Sequence, residues 1–458
     1  MKKGAGIRER LRERRAARQV VTESEKAVDE EGWELLNKRD IGRAFHFKLK
    51  LPREVYAKFN TTPLSLLQLF QRFVPPKLLR DVLDRVDPNS WVINASRGDR
   101  VDPKLKYIYR VLAAQIFIIG QYGLVKNEEP ETRDIRKSMF AARDYFHAHG
   151  QEGFPGENIW TRINAVFHLS QENFGSISEN FQSIIESLGQ AVAGDEKLFH
   201  FTGDTPFLRH VPSKPDQVGL WNYELCVQLR TGNIFLVHCA MSVASRMLGV
   251  SEPTTEIVRD WIQVISNLSN RRTLLFIDSY YFNQGTRELL LENNIRYVAA
   301  CRESSFQSLT TTLRERVHSR GDYAAAWNDD NQELFAHYYS PNEHLGRKFV
   351  CSKAYEKLDG KDTSTDPVHI PGFDLFATSF NFCDKFNFQL DRLAFPHKSG
   401  GHGHMGDKGS QHSFIMAVIL KNIFAAYDEM HPLHQLPPEF STRCTQLAMM
   451  IYGATFDL

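Results

Sequence analysis

Arg271-Arg272-Thr273-Leu274-Leu275-Phe276-Ile277-Asp278-Ser279-Tyr280-Tyr281-Phe282 is the stretch on which the reading of this chain turns. Four apolar residues in succession, Leu274 to Ile277, predict a strand buried on both faces. That strand delivers one carboxylate, Asp278, to its C-terminal end, where ligands and active sites of open α/β sheets collect. Downstream, Gln284 to Asn294 has helical spacing, and Ile295-Arg296-Tyr297-Val298-Ala299-Ala300-Cys301 is a second apolar run of strand length. Asp278 therefore stands between a strand and a helix of an α/β pattern.

Working back from it, Ser251 to Asn270 predicts a helix with Pro253 in its first turn and Ile257, Trp261, Ile262 and Ile265 on one face. Trp221, Tyr223, Leu225, Val227 and Leu229 alternate with their neighbours as a half-buried strand does. Thr231-Gly232-Asn233 is a short turn and Ile234 to Met241 the returning strand of a hairpin. Gln190 to Phe201 reads as one more strand, with Asp195-Glu196 in its middle. The order strand with a carboxylate, hairpin, helix, strand ending in a carboxylate, helix, strand is that of a ribonuclease-H-like mixed sheet. In that arrangement the first and fourth strands lie side by side, which predicts that Asp195 and Asp278 meet.

Two carboxylates within reach of each other repel unless a cation neutralises them, and hard divalent ions take oxygen ligands. Two Mg²⁺ ions ~3.5–4 Å apart can activate a water or a 3′-hydroxyl and stabilise the leaving oxygen of an in-line phosphoryl transfer. A third acid would complete such a site from a later helix, and Asp374, Asp384 and Asp391 are the candidates. Any one Asp is more often a helix cap or a solvated side chain. The ordered set points to a metal site.

The rest of the chain frames this core. Residues 1–40 form a charged tail in which Arg8, Arg10, Arg12, Arg14, Arg15 and Arg18 interleave with Glu9 and Glu13. Its first eighteen residues suit a solvated tail better than a phosphate-binding arm. Residues 41–189 read as all-helical. Leu66, Leu67, Leu69, Phe70 and Phe73, then Leu78, Leu79, Val82 and Leu83, recur at three and four and place two helices around Pro75-Pro76, with Asp87-Pro88-Asn89-Ser90 as the stop. Further helices are expected over Lys104 to Gly120, Ile135 to His147 and Phe174 to Leu188. The core's first part covers 190–308, an insertion without a clean period 309–371, closing helices 372–430 and a tail 431–458. His397 to His412, glycine-rich and carrying Lys398, His402, His404 and Lys408, reads as a mobile loop rather than a metal loop.

Composition narrows the classes. Apolar residues make up 42% and charged residues 24%, ordinary for a soluble protein of 458 residues with a large core. A formal charge of +1 means that contact with nucleic acid must come from local patches. The cysteines, Cys226, Cys239, Cys301, Cys351, Cys383 and Cys444, include no CxxC pair, which argues against a disulfide framework and a zinc module and for a reducing compartment. The longest apolar run, near Val111 to Gly120, is about half the ~20 residues a membrane span needs. No apolar signal core follows the basic start, so neither secretion nor membrane insertion is expected.

Asp195-Glu196-Lys197-Leu198-Phe199-His200-Phe201-Thr202-Gly203, continuing through Pro206-Phe207 and Val211-Pro212-Ser213-Lys214-Pro215 to Gly219, resembles the block around the first catalytic aspartate of piggyBac transposases. Asp278-Ser279-Tyr280-Tyr281-Phe282 resembles that family's second block. Asn381-Phe382-Cys383-Asp384-Lys385-Phe386-Asn387 stands where its third block does. Ala417 to Tyr427, with Asn422 inside, is similar to the closing helix, and Thr62-Pro63-Leu64 to Val86 to the opening helical segment. The resemblance spans about residues 60 to 430. It implies an RNase-H-like core with Asp195, Asp278 and Asp384 as the catalytic, metal-binding acids of two Mg²⁺ or Mn²⁺ ions, DNA as partner, a nuclear location and a homodimer.

Departures from the family pattern cluster around these blocks. Asp204 replaces an arginine, Ser279 an asparagine, Asn381 and Phe382 a pair of glycines, and Asn387 the second acid of the third block. The family's cysteine-rich zinc domain has no counterpart. Two function classes follow: a metal-dependent DNA strand-transferase, or a domesticated descendant that keeps the fold to bind DNA, chromatin or another partner without catalysis.

Overall fold

The computed structural model describes residues 32–36, 45–46, 56–60, 62–94, 99–100, 104–122, 135–200, 207–212, 217–242, 253–268, 273–340, 346–354, 356–357, 381–391, 407–434 and 436–454. The chain divides into two compact units, each assembled from two separated stretches: Met1–Lys50 with Leu274–Phe380, and Leu51–Thr273 with Asn381–Leu458.

In chain order, β1 (Trp33–Leu36) and β2 (Phe45–His46) open the first unit. The second unit begins with β3 (Lys58–Phe59), α1 (Leu66–Phe73), α2 (Pro76–Asp84), β4 (Val92–Asn94), β5 (Asp99–Arg100) and α3 (Leu105–Tyr122). It continues with α4 (Ile135–Ala148), α5 (Glu157–Val166), α6 (Phe174–Gln182), β6 (Ile185–Ser187), β7 (Ala191–His200), β8 (Leu208–His210), β9 (Val218–Gln228), β10 (Ile234–Met241) and α7 (Thr254–Leu268). The first unit resumes with β11 (Leu274–Ile277), α8 (Gln284–Glu292), β12 (Arg296–Cys301), α9 (Gln307–Arg314), β13 (Tyr323–Asn328), β14 (Glu333–Tyr339), β15 (Arg347–Ser352) and β16 (Glu356–Lys357). Helices α10 (Phe382–Asp391), α11 (Asp407–Met430) and α12 (Phe440–Gly453) return to the second unit.

In the first unit the strands run in the order β1-β13-β14-β15-β12-β11. Only β11 and β12 are parallel, because α8 supplies the crossover that a parallel pair needs; the other pairs are antiparallel. All four residues of β11 are buried, as its apolar run predicts. Two segments depart from the sequence reading. Within the expected charged tail, Trp33 is 0% exposed and packs edge-on against Phe306 and Phe335, so that β1 becomes an edge strand on β13. Four residues are too few to show a period. The expected insertion, in turn, supplies β13 to β15, whose residues are mostly buried. Continuous apolar runs such as Tyr323 to Trp327 hide the alternation on which a strand assignment rests.

In the second unit β7, β9 and β10 form consecutive antiparallel pairs and β8 also pairs with β9. Gly232, at φ +85, turns the β9–β10 hairpin as Thr231-Gly232-Asn233 foretold. The free edge of β10 is closed by side chains instead of another strand. Asn422 of α11 accepts from the Leu236 N–H at 3.0 Å and donates to its carbonyl at 2.8 Å, while Ser178 of α6 bridges the N–H and carbonyl of Cys239. A buried amide in α11 thus does the work of a strand backbone.

The helices ahead of β7 follow their apolar spacing. Ser65 and Gln68 form a reciprocal capping box at α1, Pro76 opens α2, and Asp87 caps the 3₁₀ turn that ends the pair. The region is not all-helical, since β3 to β6 lie within it. Helix α6 stops at Gln182 rather than near Leu188, because Ile184 and Ile185 leave it to join β3, where Asn60 N–H donates to Ile184 O at 2.9 Å.

Candidate functional site

In the antiparallel register of β7 with β9, Ala193 stands opposite Cys226, Asp195 opposite Glu224 and Lys197 opposite Asn222. Opposed residues, and residues two apart, project to the same face, so these six side chains share one side of the sheet. The other side is closed by α7: a Cβ added at Gly194 would lie 2.5 Å from the Trp261 ring. Glycine precedes Asp195 because the indole packs directly on the β7 backbone.

Helix α10 covers the Asp195 side. Cys383 Sγ lies 3.4 Å from the Ala193 carbonyl, to which it donates, and Lys197 Nζ donates to Asn387 O at 3.4 Å. A sheet face under a helix is ordinarily apolar. Here it holds Asp195, Lys197, Asn222, Glu224 and Asn387, none more than 9% exposed. Asp195 Oδ1 accepts the Glu196 N–H at 2.8 Å. Asn222 is 0% exposed and neither end of its amide has a hydrogen-bond partner.

The same face carries thiols. A Glu224 carboxylate oxygen, Cys226 Sγ and Cys383 Sγ all lie within 4.8 Å of one another, the one such His, Cys, Asp and Glu grouping found among the described residues. Burial pushes the Cys226 and Cys383 thiols up, and the Glu224 and Asp195 carboxylates add to the effect. Cys239, opposite Glu224 in the β10–β9 register, is shifted the same way by burial and then by Glu224 and Cys226.

The three predicted acids occupy different settings. Asp195 is buried at 6% exposure. Asp384 is exposed: Cys383, Phe386, Asn387 and Leu390 form the inner face of α10, and Asp384, Lys385 and Phe388 lie on the outer one. Its place in the first turn suits a carboxylate, which the helix N-terminus favours. Asp278 belongs to the other unit. It is half-buried beyond β11, with Oδ1 accepting the Tyr280 N–H at 2.7 Å. Asp391 closes α10, and Asp374 lies outside the described residues.

No family model matches the chain, and no curated protein matches it. Among solved structures it is similar to the piggyBac transposase synaptic complex with hairpin DNA, determined by cryo-EM. The TM-score is 0.62 at 12% identity, over 86% of this chain and 81% of that one. The fold is piggyBac-transposase-like. At that identity the likeness speaks for the fold alone, a mixed α/β architecture with many helices.

Two features of the site escaped the sequence reading. The absence of a CxxC pair argues against a disulfide framework and a zinc module, yet Cys226 and Cys383 converge from distant positions, a convergence that no local pattern records. The stretch from His397 to His412, read as a mobile loop, lies outside the described residues as far as residue 406. Asp407 then opens α11, in which His412 is buried between Leu169 N–H at 3.0 Å and Gln115 Oε1 at 3.1 Å. The alternation of Phe386 and Asn387 with Asp384 at helical spacing could have signalled that Asp384 faces outward.

Among the described residues, no helix is long and apolar enough to cross a membrane.

Proposed function

We propose that this chain is a piggyBac-transposase-derived protein that binds DNA in the nucleus, as a homodimer. The observation that carries the reading is the fold likeness over 86% of the chain to a transposase whose structure is a synaptic complex with hairpin DNA. The blocks around Asp195 and Asp278 support it from the sequence side. With a formal charge of +1, affinity must come from local lysines and arginines on phosphates.

The catalytic version of this reading gives Asp195, Asp278 and Asp384 two Mg²⁺ or Mn²⁺ ions and a hydrolytic cut followed by joining through the freed 3′-hydroxyl. Carboxylate oxygens are the right donors for hard ions. Their settings fit poorly. Asp195 is 6% exposed beneath α10, beside two thiols, and Asp384 is on the outer side of the same helix. A strand of DNA cannot reach a carboxylate so covered, so the binding reading takes precedence.

Both versions are tested together. Affinity for duplex DNA, measured in a salt titration, should fall on the order of a thousandfold between about 50 mM and 200 mM salt if roughly six phosphates are contacted. Binding that ignores salt would sink the phosphate-dominated contact. A nicking assay with Mn²⁺, on DNA carrying the gene's own flanking ends, should show no cleavage by the wild type. Cleavage abolished in Asp278→Asn, with DNA binding retained, would instead establish the strand-transferase.

A further inference from the structure

We propose that Glu224, Cys226 and Cys383 bind a thiophilic divalent cation, zinc in the cell, with Cys239 placed as the fourth ligand. This site shares its face with Asp195 but takes none of the acids of the transposase reading as a ligand, and it stands or falls without them.

The geometry is close to what zinc needs. Zinc takes thiolates at ~2.3 Å and carboxylate oxygens at ~2.0–2.2 Å in a tetrahedron, which places ligand atoms roughly 3.3–3.8 Å from one another. Glu224, Cys226 and Cys383 already have theirs within 4.8 Å, a gap that small side-chain rotations close. Cys239, 2% exposed, faces Glu224 across the β10–β9 pair. The backbone that carries it is fixed by Ser178 on both its N–H and its carbonyl.

The bland reading of buried cysteines is that they are small apolar core residues. It does not explain a carboxylate placed among them, nor the neighbouring amide. Asn222 lies two residues from Glu224 on the same face, wholly buried, with both polar atoms unpartnered. Buried amides without partners are rare, so this one leaves unmet polar capacity on the face that carries Glu224. Neutral thiols packed in the metal-free chain would release their protons to solvent as the ion binds the thiolates.

The ligands come from β9, β10 and α10, so the site exists only once α10 has docked, and metal binding adds to the stability of that docked state. The ion would be a structural clamp of the second unit.

The test uses the full chain, purified under reducing conditions without chelator. Elemental analysis should find roughly one zinc per chain. Cys226→Ser and Cys383→Ser should each lose most of it, whereas Cys301→Ser, in the other unit, should keep it. Should those variants fail to fold, the wild type still answers. Chelator treatment should lower its melting temperature, added Zn²⁺ should restore it, and Co²⁺ should give thiolate charge-transfer absorption. A folded wild type that carries no zinc and takes up neither ion overturns the proposal, as does a Cys226–Cys383 disulfide in the reduced preparation or full metal content in Cys226→Ser. Asp278→Asn should leave the zinc content unchanged, which separates this outcome from any failure of the DNA reading.

Discussion

The two units each bury a carboxylate completely, and they treat it differently. In the first unit Glu333 is 0% exposed and met by donors on every side. Arg287 Nη2 reaches Oε2 at 2.5 Å, its Nε lies 3.1 Å from both oxygens, Tyr297 donates its hydroxyl and Cys351 Sγ approaches to 3.7 Å. The guanidinium is held between Trp33 and Phe306, 5.5 and 5.4 Å from the ring centres. Burial, with the neighbouring Cys351 and Glu333, raises the Tyr297 hydroxyl well above its usual range and keeps it a donor. In the second unit Glu224 shares its face with neutral thiols and an unpartnered amide. Glu333 is held by a cation of its own unit, whereas Glu224 lies within ligand reach of two thiols.

Breaking the matched cluster should have the largest effect. Arg287→Leu leaves Glu333 buried without its cation, and loss of one partner of such a pair costs about 3–5 kcal/mol; chemical denaturation would measure it. A loss below 1 kcal/mol would mean that Tyr297 and Cys351 suffice. Next comes Gly194→Ala, which drives a methyl into Trp261 behind Asp195 and should cost about 1–3 kcal/mol by overpacking. An unchanged melting curve there would show that the indole can move and that the β7 floor is soft. The smallest effect sharpens the contrast by its sign. Asn222→Leu exchanges an unpartnered amide for an apolar group of similar size, so the metal-free protein should unfold no more easily than wild type, and by up to about 1–3 kcal/mol less easily. Clear destabilisation would show that the amide has a role in the dry cluster.

Much of this fold was legible because several elements carry strong local signals. Leu274 to Ile277 is an uninterrupted apolar run, Thr231-Gly232-Asn233 a turn, and Pro253 a helix opening, and each sits where its chemistry requires. Trp33 gave no such signal: its burial depends on Phe306 and Phe335, almost three hundred residues later, and no four-residue segment encodes a partner so distant. At the site, Asp195 was legible as a strand carboxylate. That it lies under a helix, paired in register with another acid, follows from tertiary contacts alone. The outward place of Asp384 is written in the spacing of Cys383, Phe386, Asn387 and Leu390, which sets the phase of the helix.

The arrangement of the chain into interleaved stretches bears on how it is made. Gly120 of α3 fits so closely against Cys444 of α12 that a Cβ there would approach to 2.5 Å, and Phe146 stacks on Tyr452 at 4.4 Å. Those partners leave the ribosome more than three hundred residues after the surfaces they cover. Strand β1 likewise has nothing to pair with until β13 has been made. A nascent chain therefore carries α3 with its apolar flank open, and β1 unpaired, through most of its synthesis. The second unit cannot close until residues 381–458 have been made, and such delayed long-range contacts slow folding and expose a chain to aggregation. Emergence of α12, rather than completion of any earlier segment, is the event that commits the second unit to its final form.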